Sequence, residues 1–251
     1  MKSIIKLTAL LFALGFPNIY AAAQTATEII EKAEENVRGT QAYAELKMTI
    51  VRPKWTREIT MKSWSKGDDY SLILVTAPAR DRGMAFLKRG KEIWNWQPSI
   101  DRSIKMPPSM MMQSWMGSDF TNDDLVRQSS LKTDYTHKLL EKEEVEGRMC
   151  HVIELIPKPD AAVVWGKVIM WIDTADYLEL KVEFYDEDDY LVSTIFGKNI
   201  TSIGGRTLPS RLEMIPADNP GQKTIVEYVD LDFKVKLDDR FFSVQNLKRV
   251  K

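Results

Sequence analysis

The sequence is poor in the side chains that bind metals and redox groups. Its 251 residues include one cysteine, Cys150, and two histidines, His137 and His151. A single cysteine cannot form an internal disulfide, and three nitrogen or sulfur ligands cannot complete a closed structural zinc site. Iron–sulfur and dinuclear copper sites need more such ligands than the chain offers. The sequence therefore predicts no metal and no cofactor.

An excess of positive charge is also lacking. The chain has 35 basic and 36 acidic side chains, which give a formal net charge of −1. This balance supplies no field that would hold a phosphate backbone, so nucleic-acid binding is not expected. The apolar fraction of 44% and the charged fraction of 28% are those of an ordinary folded protein.

Common catalytic motifs are missing as well. The sequence contains no G-x-S-x-G elbow, H-E-x-x-H helix, P-loop or G-x-G-x-x-G loop. His151 lies in an apolar run beside Cys150, which is typical of a core residue, and His137 lies in a polar run. We therefore expect a protein that is not an enzyme.

Residues 1–23 have the pattern of a secretory signal peptide. Lys2 and Lys6 precede an apolar stretch over 7–16, and three alanines end at Ala23 as a small-residue cleavage site. The apolar stretch is too short to span a bilayer comfortably. We predict cleavage after about Ala23 and an exported protein formed by residues 24–251 as one domain.

What the chain does contain is one helix pattern followed by many strand patterns. Residues 25–28, Thr-Ala-Thr-Glu, form a capping box before an apolar stripe that Gly39 ends. Apolar and polar residues then alternate along 44–50, 178–184 and 229–237, and turn residues separate about ten further short β-prone runs. This spacing predicts a mainly β protein of antiparallel strands, in which Glu179 belongs to a solvated face.

The distribution of methionine and tryptophan is unusual. Residues 106–120 hold five of the twelve methionines and begin with two prolines. Many single-faced strands and little helical cover leave space for an apolar guest, and Met and Trp suit the wall of such a cavity. The same residue types are common in ordinary cores. The predicted cavity residues are Trp64, Trp94, Trp96, Met110, Met111, Met112, Trp115, Met116 and Phe120.

Several of these runs together resemble one protein family. They are the run 92–96 (Glu-Ile-Trp-Asn-Trp), the Met-Pro-Pro of 106–108, the run 114–120 (Ser-Trp-Met-Gly-Ser-Asp-Phe) and the run 241–247 (Phe-Phe-Ser-Val-Gln-Asn-Leu). Over the whole mature chain the sequence resembles the outer-membrane lipoprotein-sorting proteins, the LolA-like periplasmic carriers. The run 114–120 is most similar to the branch found beside RND-type exporters.

The resemblance implies a fold and a function. The fold is an unclosed antiparallel β-barrel with a helical lid around a hydrophobic cavity, and the function is carriage of lipid or lipoprotein acyl chains through the periplasm. It also implies a monomer and an inner-membrane RND-type transporter as a partner.

Two other functions stay open from the sequence. One is a phospholipid hydrolase that uses the same pocket, with His137 or a carboxylate among residues 119–124 as the base. The other is a sensor or adaptor for an RND-type exporter, in which the curved sheet recognises a partner protein.

Overall fold

The computed structural model describes residues 24–127 and 131–250. The predicted signal peptide, 1–23, lies outside the described residues. Within them, no helix has the length and apolar character needed to cross a membrane.

The N-terminal helix is the one that its capping pattern predicts. Helix α1 spans Ala26–Arg38; the Thr25 hydroxyl accepts a hydrogen bond from the Glu28 backbone, and the Glu28 carboxylate accepts one from the Thr25 backbone. Gly39 ends the helix at φ 58°, a left-handed value that glycine adopts without steric cost. The predicted capping box and helix end are confirmed.

Antiparallel strands make up most of the rest of the described chain. Prolines and short turns separate them, and helical cover beyond α1 is limited to Val244–Leu247 (α2) and to single turns at Pro98–Ile100, Pro108–Met110, Asp123–Arg127 and Asp239–Phe241. The strands are β1 (Gln41–Arg52), β2 (Trp55–Lys66), β3 (Tyr70–Ala77), β4 (Ala85–Arg89), β5 (Glu92–Gln97), β6 (Arg102–Lys105), β7 (Tyr135–Leu139), β8 (Glu143–Val145), β9 (Arg148–Pro157), β10 (Lys167–Asp173), β11 (Glu179–Tyr185), β12 (Leu191–Ile203), β13 (Arg206–Pro216) and β14 (Lys223–Asp232).

All of these strands belong to one unclosed sheet. Its order is β6-β5-β4-β3-β2-β1-β14-β13-β12-β11-β10-β9-β7, with β8 paired to the end of β9. The first and last strands of this order, β6 and β7, do not pair with each other, so the sheet curls without closing. The prediction of a mainly β, unclosed antiparallel barrel is confirmed.

Two strand boundaries differ from the sequence prediction. One of the short β-prone runs covers residues 134–143 and predicts a single strand, but β7 ends at Leu139 and β8 begins at Glu143, and the two pair with different parts of β9. The alternation over 229–237 predicted a strand there, whereas β14 ends at Asp232. The chain then leaves the sheet, and the Leu237 backbone donates to Oε1 of Gln41 at 2.6 Å.

Two of the β-bulges in the sheet, in β11 and β14, differ from the alternation predicted there. Leu180 is an extra residue in β11, since Trp171 pairs with Lys181 and Ile172 pairs with Glu179. Val229 is an extra residue in β14 and is 63% exposed. Because a bulge reverses the alternation beyond it, the simple period of two fails at both places.

The two faces of the curved sheet have separate cores. On the inner face, the buried side of α1 (Ile29, Ile30) packs with β-strand residues such as Met48 and Met170. On the outer face of β3 and β4, the chain end contributes Phe242 and Leu247 to a second cluster. The sheet is therefore covered by helix α1 within its curve and by the C-terminal segment, residues 237–250, on part of its outside.

Candidate functional site

A cavity of about 310 Å³ lies under α1 and against the inner face of the sheet. Ligand pockets in proteins commonly measure roughly 300–1,000 Å³, so this volume is sufficient for a small or chain-like ligand. A second cavity of about 120 Å³ shares five wall residues with it: Leu131, Glu179, Phe184, Ile195 and Leu212.

One end of the larger cavity is apolar. Trp165 and Phe184 stack there with ring centroids 5.0 Å apart. The other side chains of this part come from several strands and from the connection after residue 106: Met48, Met61, Ile73, Phe120, Leu125, Leu131, Tyr135, Ile195, Leu212 and Val226. Their flexible and aromatic surfaces suit an apolar guest.

The other end of the cavity is polar, and strand pairing explains why. Directly opposite residues in an antiparallel sheet share a face, so pairing sorts the wall into rows. The row nearest the end of α1 contains Ser65, Ser71 and Lys88, which are paired in that order across β2, β3 and β4. The next row contains Ser63, Ile73 and Phe86, and Met61 and Val75 form the row beyond. Polarity therefore falls along the strands.

Glu179 enters the cavity because of the bulge in β11. The extra residue Leu180 puts Glu179 on the side of Ile172, which is the inner face, instead of the solvated face predicted from the alternation. Desolvation in the cavity wall and, to a smaller extent, the nearby charge of Glu34 raise its pKa to about 7, against the opposing charge of Arg38.

Helix α1 supplies two more charged groups to the polar end. Glu34 and Arg38 are four residues apart, on the helical face that looks into the cavity. Enclosure raises the pKa of Glu34, and its Oε1 is buried with no hydrogen-bond partner among the described residues. Arg38 lies 3.8 Å from Asp68 in the turn between β2 and β3, so this ion pair joins the lid helix to the sheet at the cavity edge.

Lys88 faces the same volume from β4. Enclosure lowers its pKa, and the charge of Arg38 lowers it further, while Asp68, Asp69 and Asp123 act in the opposite direction. Desolvation disfavours the charged form of both acids and bases, which is why Lys88 shifts down and Glu179 shifts up.

A different acid, Asp124, has its partners in place. Its carboxylate accepts hydrogen bonds from the Trp165 indole at 3.1 Å and from the Thr121 backbone at 2.8 Å. Burial nevertheless raises its pKa to about 6. Asp124 thus fixes the orientation of an indole at the apolar end.

Of the nine predicted cavity residues, the structure puts Phe120 in the cavity wall. Phe120 is 4% exposed. Met111 and Trp115 are buried in the inner core beside it, with the Trp115 ring 5.3 Å from that of Phe86. Met110 and Met116 pack against the same core, and Met112 is 65% exposed.

The three remaining predicted residues lie on the outer face. Trp64, Trp94 and Trp96 belong to the cluster that the C-terminal segment covers, and Trp64 lies 5.4 Å from the Phe241 ring. Lys248 lies over the Trp96 ring at 4.6 Å. A direct role of the nine residues in ligand binding stays a prediction, which the wall position favours for Phe120.

The side chains proposed as bases for a hydrolase form hydrogen bonds and ion pairs with other parts of the fold. In His137, Nδ1 lies 2.9 Å from the Thr27 hydroxyl and Nε2 lies 2.7 Å from the Leu131 carbonyl. Asp119 pairs with Arg52 at 3.0 Å and accepts from the Thr224 hydroxyl at 2.6 Å, which ties residues 106–120 to the sheet. Within 24–127 and 131–250, no three Asp, Glu, His or Cys side chains are grouped as metal ligands.

The long curved antiparallel sheet with a helix over an internal cavity is similar to the structures of LolA superfamily proteins. The LolA superfamily protein of Nitrosomonas europaea is 27% identical with a TM-score of 0.78, covering 89% of this chain and 100% of its own. An outer membrane lipoprotein-sorting protein domain from Vibrio parahaemolyticus is 25% identical with a TM-score of 0.77, covering 89% and 98%.

A third solved structure and a family model also match the chain. A DUF1329 family protein from Desulfovibrio piger has a TM-score of 0.80 at 23% identity, covering 88% of this chain and 97% of its own. A family model described as that of an uncharacterized protein matches residues 67–249, and the chain belongs to that family. No curated protein matches the chain. The resemblance to LolA-like, lipoprotein-sorting proteins is confirmed.

Proposed function

We propose that this protein is a non-enzymatic carrier that shields an acyl chain of a lipid or lipoprotein in its internal cavity. The observation that carries the proposal is the cavity of about 310 Å³ with an apolar end, enclosed between α1 and the inner face of an unclosed sheet. Its volume is at the lower end of the usual range, so we assign it a single chain at a time.

The physical need for such a carrier is large. Burial of each CH₂ group is worth about 0.8 kcal/mol, so exposing a 16-carbon chain to water costs on the order of 12 kcal/mol. A cavity that accepts the chain removes most of this barrier without any covalent step.

The similar proteins support the choice of cargo and compartment. One is an outer membrane lipoprotein-sorting domain, which points to acyl chains as cargo and to the periplasm as the place of work. The predicted signal peptide agrees with this location. An RND-type transporter of the inner membrane is the partner proposed from the sequence resemblance, and co-purification from detergent-solubilised membranes tests it.

Two variants on β2 test the cavity directly. Ser63 points into the cavity and Lys62, its neighbour, does not. We expect Ser63→Trp to fill the volume and to weaken binding of the neutral apolar dye N-phenyl-1-naphthylamine about tenfold or more, which is a change of about 1.4 kcal/mol or more. Lys62→Trp adds the same indole on the outer face and should bind the dye like the parent protein.

Fluorescence titration measures the dye affinity, and circular dichroism establishes that both variants are folded. Displacement of the dye by dodecanol then shows that a plain alkyl chain occupies the same site. Equal dye binding in the two folded variants would contradict the proposal, as would hydrolysis of phospholipid by the purified protein.

A further inference from the structure

The wall of the larger cavity carries more acid than base. Its cationic side chains are Arg38 and Lys88. Its carboxyl side chains, five in the described part of the chain, are Glu34, Asp68, Asp123, Asp124 and Glu179. A cavity built only for hydrocarbon would gain nothing from these groups, because burying a charge without a partner is costly.

Two of the acids have unused hydrogen-bonding capacity at the polar end. Oε1 of Glu34 is buried without a partner among the described residues. The Glu179 carboxyl group borders both cavities and accepts no hydrogen bond from the described residues. By contrast, Asp124 is occupied by Trp165, and Asp68 lies beside Arg38. Buried polar groups are normally satisfied, so Oε1 of Glu34 requires a partner from outside the chain, and the nearby Glu179 carboxyl group on the cavity wall can share that partner.

The two groups also sit at the correct end for a headgroup. Glu34 reaches in from the lid helix and Glu179 from β11, while the rows of wall residues become apolar from Ser65 and Ser71 towards Met61 and Val75. A ligand with one polar end and one hydrocarbon end matches this gradient in only one orientation.

We propose that the cavity binds an amphiphile with an amine-bearing head, whose ammonium group donates to the carboxylates of Glu34 and Glu179 while its chain lies towards Trp165 and Phe184. The inference rests on the proposed carrier function and adds the chemical class of the cargo. A carboxylate or phosphate head would be repelled by the wall, since its five carboxyl side chains outnumber the two cations, Arg38 and Lys88. Loss of the positive charge on the head would remove the main attraction.

Three probes with the same 12-carbon chain test this: dodecylamine, dodecanol and dodecanoate, each measured by displacement of N-phenyl-1-naphthylamine at neutral pH. We expect dodecylamine to bind about tenfold or more tightly than dodecanoate, with dodecanol between them, because a charge-assisted hydrogen bond is strong in an enclosed site.

The double variant E34Q/E179Q should lose this preference and keep its affinity for dodecanol, which also shows that the cavity is intact. The matched control is E31Q/E187Q, which removes the same charge from exposed positions on α1 and in the turn after β11, and which should keep the preference.

The outcomes separate the two proposals. If dodecanol fails to displace the dye, the carrier function itself fails. If dodecanol binds but dodecylamine has no advantage, or dodecanoate binds best, the amine site is refuted and the carrier stands. Equal loss of preference in the two double variants would assign the effect to net charge and would also refute the site.

Discussion

Replacement of Glu179 by glutamine should change how the stability of the protein depends on pH. The Glu179 carboxyl group has its pKa raised from 4.5 to about 7, chiefly by enclosure and then by the charge of Glu34. A carboxyl group whose pKa is higher in the folded state binds its proton more tightly there than in the unfolded chain. The stabilisation from this proton is complete below about pH 4.5 and is lost as pH rises through about 7.

The size of the effect follows from the two pKa values. Each pKa unit corresponds to about 1.4 kcal/mol, and most of the shift is expressed between pH 5 and pH 8. Glutamine has no proton to lose at these pH values. The free energy of unfolding of E179Q relative to the parent protein should therefore rise by about 2 to 3 kcal/mol from pH 5 to pH 8.

Urea unfolding followed by tryptophan fluorescence at pH 5, 6, 7 and 8 measures this difference. E187Q is the control, because Glu187 is exposed in the turn after β11 and surface substitutions change stability by less than about 0.5 kcal/mol. Parallel pH profiles for E179Q and the parent protein would refute an enclosed Glu179 and the inward turn at the Leu180 bulge.

Three other substitutions test the parts that hold the cavity in place. Phe242→Ala removes a fully buried ring from the outer cluster and should cost about 3–5 kcal/mol of stability while leaving dye affinity unchanged. Asp119→Asn breaks the nearly buried pair with Arg52 and should cost about 3 kcal/mol, since the guanidinium loses its partner charge. Thr25→Ala removes the cap of α1 and should cost about 1 kcal/mol. Urea unfolding at pH 7 measures all three.

Tyr190→Ala is the common control, because Tyr190 is 70% exposed and its loss should be nearly neutral. A cost below about 1 kcal/mol for Phe242→Ala would contradict the packing of the C-terminal segment on the outer face. Unchanged stability in Asp119→Asn would show that the Arg52–Asp119 ion pair does not stabilise the fold. Unchanged stability in Thr25→Ala would show the same for the cap of α1.

Local chemistry is what the sequence predicts well. The capping box of α1 and the end at Gly39 depend on neighbouring residues alone, and they appear as predicted. Most strands are likewise visible from alternation and turn residues, so an unclosed antiparallel sheet follows from the sequence pattern together with the family resemblance.

The bulges at Leu180 and Val229 escape such reasoning. Alternation assigns Glu179 to the solvated face, but the extra residue Leu180 turns it into the cavity, and Val229 shifts β14 in the same way. A bulge depends on register with the neighbouring strand, which no local pattern reveals. The polar end of the cavity was therefore missing from the sequence prediction.

The tryptophans illustrate a long-range effect. By residue type, Trp64, Trp94 and Trp96 fit a core more often than a cavity wall, and the C-terminal segment makes them core residues by covering their face with Phe241 and Phe242. The burial of these tryptophans depends on the C-terminal segment, which packs across β2–β5. That segment is separated from Trp64 by most of the sequence. Within residues 106–120, Phe120 reaches the cavity wall and Met112 faces solvent.

The central claim, that the cavity holds an acyl chain, is tested most directly by mass spectrometry of lipids extracted from the protein after gentle purification from exported material. The parent protein and Lys62→Trp should carry a chain-bearing lipid at a ratio approaching one per molecule, and Ser63→Trp should carry far less. The same lipid content in Ser63→Trp as in the parent protein, or no bound lipid in either the parent protein or Lys62→Trp, would contradict the account.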